Sequence, residues 1–389
     1  MSSSATTAGT IASLFGDATL TEAERAIAEM RAGRPVILAE GGRLFLAASA
    51  EFADAERLAA LDGLVGGALQ LVLTPARLRA LGRPEEARPM ALPVSQLGSA
   101  RVRALSAQDL AGAKGEGAKG ETLGAELVEA HAAGAAALHL ATLALMLPAV
   151  LVGPLAPAAL TLPALTVRAE AITRYGEDRA TRVEIVSRAP VPLLTARNCE
   201  FVVFRGGEGM REQVAVVVGT PDPARPVLVR LHSACLTGDL FGSLRCDCGD
   251  QLRTTVATMA QAGGGVLLYL DQEGRGNGIA NKMRAYRLQS DGLDTYEADE
   301  TLGFGLDARR FDFAAAMLRQ LGFEHVVLMT NNPEKIAALS RAGLQVSGVE
   351  RLYGRRGADN IRYLAAKRDR AGHFLDLEAL DHHAPASCG

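Results

Sequence analysis

An α/β protein of two domains is what this 389-residue sequence predicts, and three observations carry the expectation. The chain is long enough for more than one core, and 48% hydrophobic with 22% charged residues is the composition of a globular protein. Its texture shifts near residue 175, from a first half dominated by Ala and Leu to a second half that alternates apolar strand runs with helical stretches. Short β-rich runs divided by proline, in "RVEIVSRAPVPLLTARNCEFVVFR", then start the second domain near residue 180. The expected boundaries are 21–178 and 179–375, with flexible ends at 1–20 and 376–389.

In the first half, "AGAKGEGAKGETLGAE" reads as a flexible surface loop. Between Glu129 and Arg168 there is no Asp, Glu, Lys or Arg, a stretch long enough to span a bilayer, but Pro148, Pro154, Pro157 and Pro163 interrupt it. A buried helix over 134–146 and a buried strand over 149–153 are expected instead of a membrane span. In the second half "PVLVRLHS", "GGGVLLYL" and "EHVVLMT" read as strands, while "GNGIANKMRAYRLQ" and "NNPEKIAALSRAGLQV" read as helices. The net charge of −3 gives no general reason to bind nucleic acid or an anionic membrane. The start lacks the basic and apolar segments of a secretory signal, so the chain is expected in the cytoplasm with its thiols reduced.

Three of the five cysteines fall within fourteen residues: Cys235, ten intervening residues, Cys246, one residue, Cys248. In a reducing compartment such clustering reads as a metal site, and the count matters. Structural zinc is normally closed by four ligands, whereas catalytic zinc has three and keeps a position for water, whose pKa it lowers toward about 7. His232 completing a structural site, or three thiols that are simply buried, are the alternatives. Cys199 reads as core and Cys388 as a bystander in the tail. "EGRGNG" sets Arg275 among three glycines just before a helix, an arrangement that suits an anion or merely a turn. In "TNNPEK", Asn332 suits an N-cap and Pro333 the first helical position, which would put Thr330 and Lys335 within reach of phosphate oxygens or leave them as a cap and a solvated lysine.

The segments "HSACLTGDLFGSLRCDCGDQL", "YLDQEGRGNGIANKMRAYRLQ", "DTYEADETLGF" and "LMTNNPEKI", in this order, resemble the signature of GTP cyclohydrolase II, a family of riboflavin biosynthesis, over residues 180 to about 375. The resemblance implies opening of the guanine imidazole ring, loss of C8 as formate and of pyrophosphate, and a diaminopyrimidine ribosylamino phosphate as product. It implies zinc and magnesium as cofactors; the ligand count of Cys235, Cys246 and Cys248 gives one zinc per chain, and GTP and a second copy of the chain, as a homodimer, are the expected partners. Carried over position by position, the resemblance implies Arg230, Gln251, Glu273, Gly274, Arg275, Thr295, Thr330 and Lys335 in GTP binding and Tyr286 near the reacting base; His232 and Ser233 are expected to bind substrate beside them. Tyr286 also follows Ile279 and Met283 at helical spacing, as an ordinary apolar face would.

In "GLDARRF" the resemblance implies Asp307 as proton acceptor and Arg309 as the group that attacks the α-phosphorus; a guanidinium is a poor nucleophile, so clamping of phosphate charge is the alternative role for Arg309. Ala234, Asp271, Ala308 and Arg310 depart from the usual Glu, Arg, Glu and Asp of the family. A ring-opening enzyme of a uridine derivative and a non-catalytic nucleotide-binding relative are the rival readings. The first half resembles the start of dihydroxybutanone phosphate synthase, but "EGGRLFLA" stands where that family carries an acidic magnesium loop, Ala133 where it carries a metal-binding His, and Pro154 where it carries a Glu. A scaffold without its site is therefore expected.

Overall fold

A computed structural model describes residues 16–108, 127–156, 161–180, 182–207, 211–305 and 309–352, together with 354, 360, 368–370, 372 and 374. Residues 1–15 of the expected flexible start, the whole expected tail 376–389 with Cys388, the whole Gly/Lys/Glu loop, and Asp307 and Ala308 lie outside the described residues. The chain divides into two compact units. The first takes residues up to Arg179 and adds Arg284–Asp291 and Glu297–Gly305; the second takes Ala180–Met283, Gly292–Tyr296 and the chain from Leu306.

In the first unit the order is α1 (Ala18–Arg31), β1 (Val36–Glu40), β2 (Arg43–Ser49), α2 (Ala55–Leu64), β3 (Gln70–Leu73), α3 (Pro75–Ala80), β4 (Met90–Pro93), α4 (Ser99–Leu105), β5 (Val128–Glu129), α5 (Ala132–Leu143), β6 (Ala149–Leu155), β7 (Thr166–Arg168) and α6 (Ala169–Ala180). The seven strands lie in the order β5-β4-β3-β6-β2-β1-β7, and only β1 and β7 pair in parallel. Both faces are covered, which the strand period of two makes visible: Val36 and Leu38 enter one core and Ile37 the other. The uncharged segment becomes α5 and β6. Ala133, Ala136, Ala137, Leu140 and Ala141 recur at helical spacing and are fully buried, so packing inside the protein accounts for the missing charges. Among the described residues no helix is long and apolar enough to cross a membrane.

The second unit continues with β8 (Val183–Pro190), β9 (Cys199–Gly206), β10 (Glu212–Gly219), β11 (Val227–Ser233), α7 (Leu236–Asp239), α8 (Cys248–Gln261), β12 (Gly264–Leu270), α9 (Ile279–Ser290), α10 (Thr295–Thr301), α11 (Asp312–Gln320), β13 (His325–Met329), α12 (Pro333–Arg341) and β14 (Gln345–Glu350). Of these, α9 and α10 run from the second unit's part of the chain into the first unit's. The sheet order is β14-β13-β11-β12-β10-β9-β8. Its first four strands are parallel and the remainder antiparallel. Val229, Leu231, Val266 and Leu268 pack on one face with Phe313 and Leu318 of α11, and Leu267 packs on the other with Val256 and Met259 of α8. Asn332 caps α12 by accepting from the Glu334 N–H at 2.9 Å, with Pro333 at the first helical position, as its sequence predicts. Cys199 is buried core, and burial pushes its thiol pKa up.

Candidate metal centre and substrate site

The carboxyl ends of β11, β12 and β13, three adjacent parallel strands, open on one edge of the second sheet, where α/β proteins characteristically place ligands. The chain leaves β11 into Cys235 and α7, leaves β12 into Gln272, Glu273, Gly274 and Arg275, and leaves β13 into Thr330 and the cap of α12.

The Sγ atoms of Cys235, Cys246 and Cys248 all lie within 4.8 Å of one another, and the first two are 3.6 Å apart. A tetrahedral zinc with Zn–S bonds of about 2.3 Å sets its sulfurs roughly 3.8 Å apart, so this donor set fits such an ion. The close approach has a local cause in Gly238, which is buried under the sulfurs. A Cβ at Gly238 would stand 2.7 Å from Cys246 Sγ and 3.0 Å from Cys235 Sγ. Among the described residues these three sulfurs form the one cluster of three metal-ligating groups. Hydrogen bonds from Cys246 and Cys248, and then the ammonium of Lys282, draw the Cys235 thiol far below its ordinary pKa; the resulting negative sulfur pushes that of Cys246 up.

Two hydrogen-bond networks, both half-buried, fix the loops around the sulfurs. Lys282 Nζ donates to Cys235 Sγ at 3.1 Å and to Glu273 Oε1 at 2.7 Å, while Glu273 Oε2 accepts from the Leu236 N–H at 2.6 Å. Asp239 accepts from Tyr269 Oη at 3.0 Å and from the Cys235 N–H at 2.9 Å, and both of its oxygens stand 3.1 Å from His232 Nε2. The His232 and Tyr269 rings stack at 5.6 Å. Burial lowers the His232 pKa against the pull of Asp239, so the imidazole is neutral, and burial with the Asp239 charge raises that of Tyr269.

Two residues before His232 on β11, Arg230 is buried. It donates to Met329 O at 3.0 Å and to Gln251 Oε1 at 2.5 Å, and Gln251 Nε2 donates to Asp247 Oδ2 at 2.5 Å. Burial lowers the Arg230 pKa to about 10. The Nε of Arg230 and the Nδ1 of His232 find no partner among the described residues.

A second group of cations follows. Ser233 donates to Gln272 Oε1 at 3.1 Å and accepts from Arg309 Nη1 at 3.4 Å, and Gln272 Nε2 donates to Arg310 O at 2.6 Å. The ring of Phe311 has two cations near it, Arg309 at 5.6 Å and Lys335 at 5.1 Å from its centroid. Lys335 also donates to Leu231 O at 2.5 Å, and Thr330 Oγ1 accepts from the Asn332 N–H at 3.0 Å. Arg275 holds a left-handed backbone at φ +61°, rare for a residue with a Cβ, and its guanidinium stands 4.0 Å above the ring of Tyr296.

The family model for GTP cyclohydrolase II matches residues 184–352, which contain all three cysteines and every loop just described. The GTP cyclohydrolase-2 of Xylella fastidiosa strain Temecula1 is 43% identical over 377 residues, covering 94% of this chain and 90% of that protein. The chain belongs to the GTP cyclohydrolase II family. The GTP cyclohydrolase-2 of Azospirillum brasilense is 50% identical over 212 residues, about half of each chain (54% and 55%). A riboflavin biosynthesis protein RibBA of Bacillus mycoides is 49% identical over 168 residues, 43% of this chain and 42% of that one. A solved two-domain 3,4-dihydroxy-2-butanone 4-phosphate synthase from A. baumannii aligns over 85% of this chain at 16% identity with a TM-score of 0.31, too low to bear on the fold.

Within this cyclohydrolase family member, hydrogen bonds link several residues marked in the sequence. Arg230 meets Gln251, Ser233 meets Arg309, and Glu273 reaches the Cys235 loop through Lys282 and Leu236 N. Glu273 and His232 are engaged by protein groups. Gly274 shares the left-handed turn of Arg275, Thr295 opens α10 beside Tyr296, and Tyr286 lies on the part of α9 that belongs to the first unit. Sequence reading missed Gly238, Asp239, Gln272 and Lys282. Two had a visible signal: Asp239 follows Cys235 by four residues in "CLTGD", and Lys282 lies in the first turn after the glycine-rich loop. The Arg310 departure has a structural answer, since Asp312 pairs with its guanidinium at 3.3 Å and offsets the added charge.

Proposed function

We propose that the chain is a zinc-dependent GTP cyclohydrolase II that hydrolytically releases formate and pyrophosphate from GTP to give 2,5-diamino-6-(5-phospho-ribosylamino)pyrimidin-4-one. The observation that carries this reading is the three-sulfur cluster at the ends of parallel strands, with Arg230, Arg309 and Lys335 on the same strand ends and loops. Cys235, Cys246 and Cys248 would hold the zinc. When bound, the metal supplies a Lewis acid that makes water nucleophilic near neutral pH, as opening an imidazole at C8 requires.

The chain's own groups divide the remaining work. Lys282 and Glu273 hold Cys235 in place, and Asp239 ties the same loop to β11 and β12 through His232 and Tyr269. Arg275, Lys335 and Thr330 receive the triphosphate, with magnesium accompanying it as in the family resemblance. Arg309 acts at the α-phosphorus, as attacking group or as clamp, with Asp307 as its proton acceptor. The first unit is a synthase-like scaffold without that chemistry. Glu40 and Arg43 flank a two-residue hairpin turn where an acidic loop is needed, and Ala133 is fully buried on α5.

Assays that follow formate and pyrophosphate separately test the division of labour. Arg309→Ala is expected to lose pyrophosphate release, and Cys246→Ser to keep it while losing formate. Normal release of both products by Arg309→Ala would remove Arg309 from the reaction.

A further inference from the structure

The family match spans 184–352 without interruption, yet two pieces of it, Arg284–Asp291 and Glu297–Gly305, belong to the compact unit built by the residues before 180. The attachment within that unit is specific. Arg284 forms a two-pronged ion pair with Glu51, at 2.9 and 3.2 Å, and Glu51 also accepts from the Leu147 N–H at 2.6 Å. Arg77 is buried and distributes its guanidinium over three carbonyls: Leu105 O at 2.8 Å, Ala104 O at 2.8 Å and Thr301 O at 2.6 Å. Thr74 Oγ1 donates to Gly303 O at 2.7 Å, and a Cβ at Gly303 would stand 3.2 Å from Pro148 and from Thr74 Oγ1. Ala107 and Leu147 share a buried cluster with Ala285, Leu288, Ala298, Leu302 and Phe304.

Chain continuity connects these anchors to the loops of the sulfur cluster. Lys282, bonded to Cys235 Sγ, precedes Arg284 by two residues on the single helix α9, so a change in the register of Arg284 moves Lys282 with it. Tyr296, whose ring carries Arg275, sits in the five residues Gly292–Tyr296 that run between the two anchored pieces. We propose that Glu51 and Arg77 are positioning residues for the cyclohydrolase site, holding α9 and α10 from the synthase-like half so that Lys282 and Tyr296 are set against Cys235 and Arg275. The half that has the wrong groups for its own metal chemistry is thereby part of the machinery of the other.

The holding stands apart from the substrate, whereas its effect on turnover rests on the GTP cyclohydrolase reading. The test uses the full zinc-loaded chain with Glu51→Gln, Arg284→Gln, their double variant, and Arg77→Met. Hydrogen exchange is measured by segment, alongside zinc content and the kcat and KM for formate release from GTP. Faster exchange confined to 284–305, unchanged zinc content, a kcat lowered roughly 10- to 100-fold as for a misplaced site, and a double variant no worse than either single one are the expected results. Exchange in 284–305 equal to wild type in Glu51→Gln, or faster exchange with undiminished kcat, overturns the proposal. If Arg77→Met fails to fold, the partly exposed Glu51–Arg284 pair still decides it. A wild-type chain that releases no formate would refute the cyclohydrolase reading, while the exchange data would still decide the holding.

Discussion

The protein contains two seven-stranded sheets, each covered by apolar packing on both faces, yet the described residues of only one gather metal-ligating groups. In the second sheet two parallel pairs bring the ends of β11, β12 and β13 to one edge, and the loops that leave them carry Cys235, Glu273 and Thr330. In the first sheet β1 and β7 form the one parallel pair, and β1 turns straight back through Gly41 and Gly42, at φ +54° and +77°, into its antiparallel neighbour β2. A turn with both central residues at positive φ is the tight form that suits a hairpin, and it has no room for a ligand-bearing loop. The difference teaches that layered packing and chemistry are separable: a sheet forms its core from the alternating apolar residues of the strands, whether or not its loops carry metal donors.

The strongest way to break the contrast is to empty the second sheet. Cys246→Ser is expected to lose zinc and to lower formate release by at least about 100-fold, read by metal analysis and formate assay. Gly238→Ala comes next, since its new Cβ would force Cys235 and Cys246 Sγ to move; zinc affinity measured by chelator competition should fall by roughly 10- to 100-fold. Lys282→Met should weaken zinc about 10-fold and shift the absorption bands of the cobalt-substituted protein, because a donor to Cys235 Sγ is removed.

His232 sharpens the contrast through pH. Its pKa in the folded protein is lowered by burial below the ordinary value of about 6.5, so the unfolded chain takes up the proton first as pH falls. Stability is therefore complete above about pH 6.5 and is lost as pH drops through the folded value, with a slope of at most about 1.4 kcal/mol per pH unit. Denaturant unfolding at pH 7.5 and 5.5 should show a smaller loss for His232→Gln than for wild type; an equal loss would place the titration elsewhere. The smallest effect is expected in the first sheet. Gly42→Ala should cost about 1 kcal/mol of stability through its positive φ and leave formate release unchanged.

Much of the second unit was legible in the sequence because strand and helix periods there are clean and the cysteines are close in the chain. The strands at Val227–Ser233 and Gly264–Leu270, the helix at Ile279–Ser290, and the cap at Asn332 all follow from apolar pattern and cap chemistry. The charge-free segment was legible as a buried helix and strand because proline divides it. What escaped was long-range. Lys282 and Cys235 are 47 residues apart, and only the parallel pairing of β11 with β12 brings their loops together. The attachment of Thr301 to Arg77 crosses 224 residues, and nothing in the local pattern of "DTYEADETLGF" distinguishes a helix that packs within its own half from one that packs against the other.

Under the proposed function the three sulfurs would hold a zinc ion that supplies Lewis acidity for ring opening, and other groups would act on the phosphates. The most direct test removes zinc from the purified chain with a chelator under reducing conditions, supplies GTP and magnesium, and follows formate and pyrophosphate by mass spectrometry before and after zinc is restored. Formate should vanish with zinc and return with it, while pyrophosphate continues throughout. Undiminished formate release from the zinc-free chain would contradict the account.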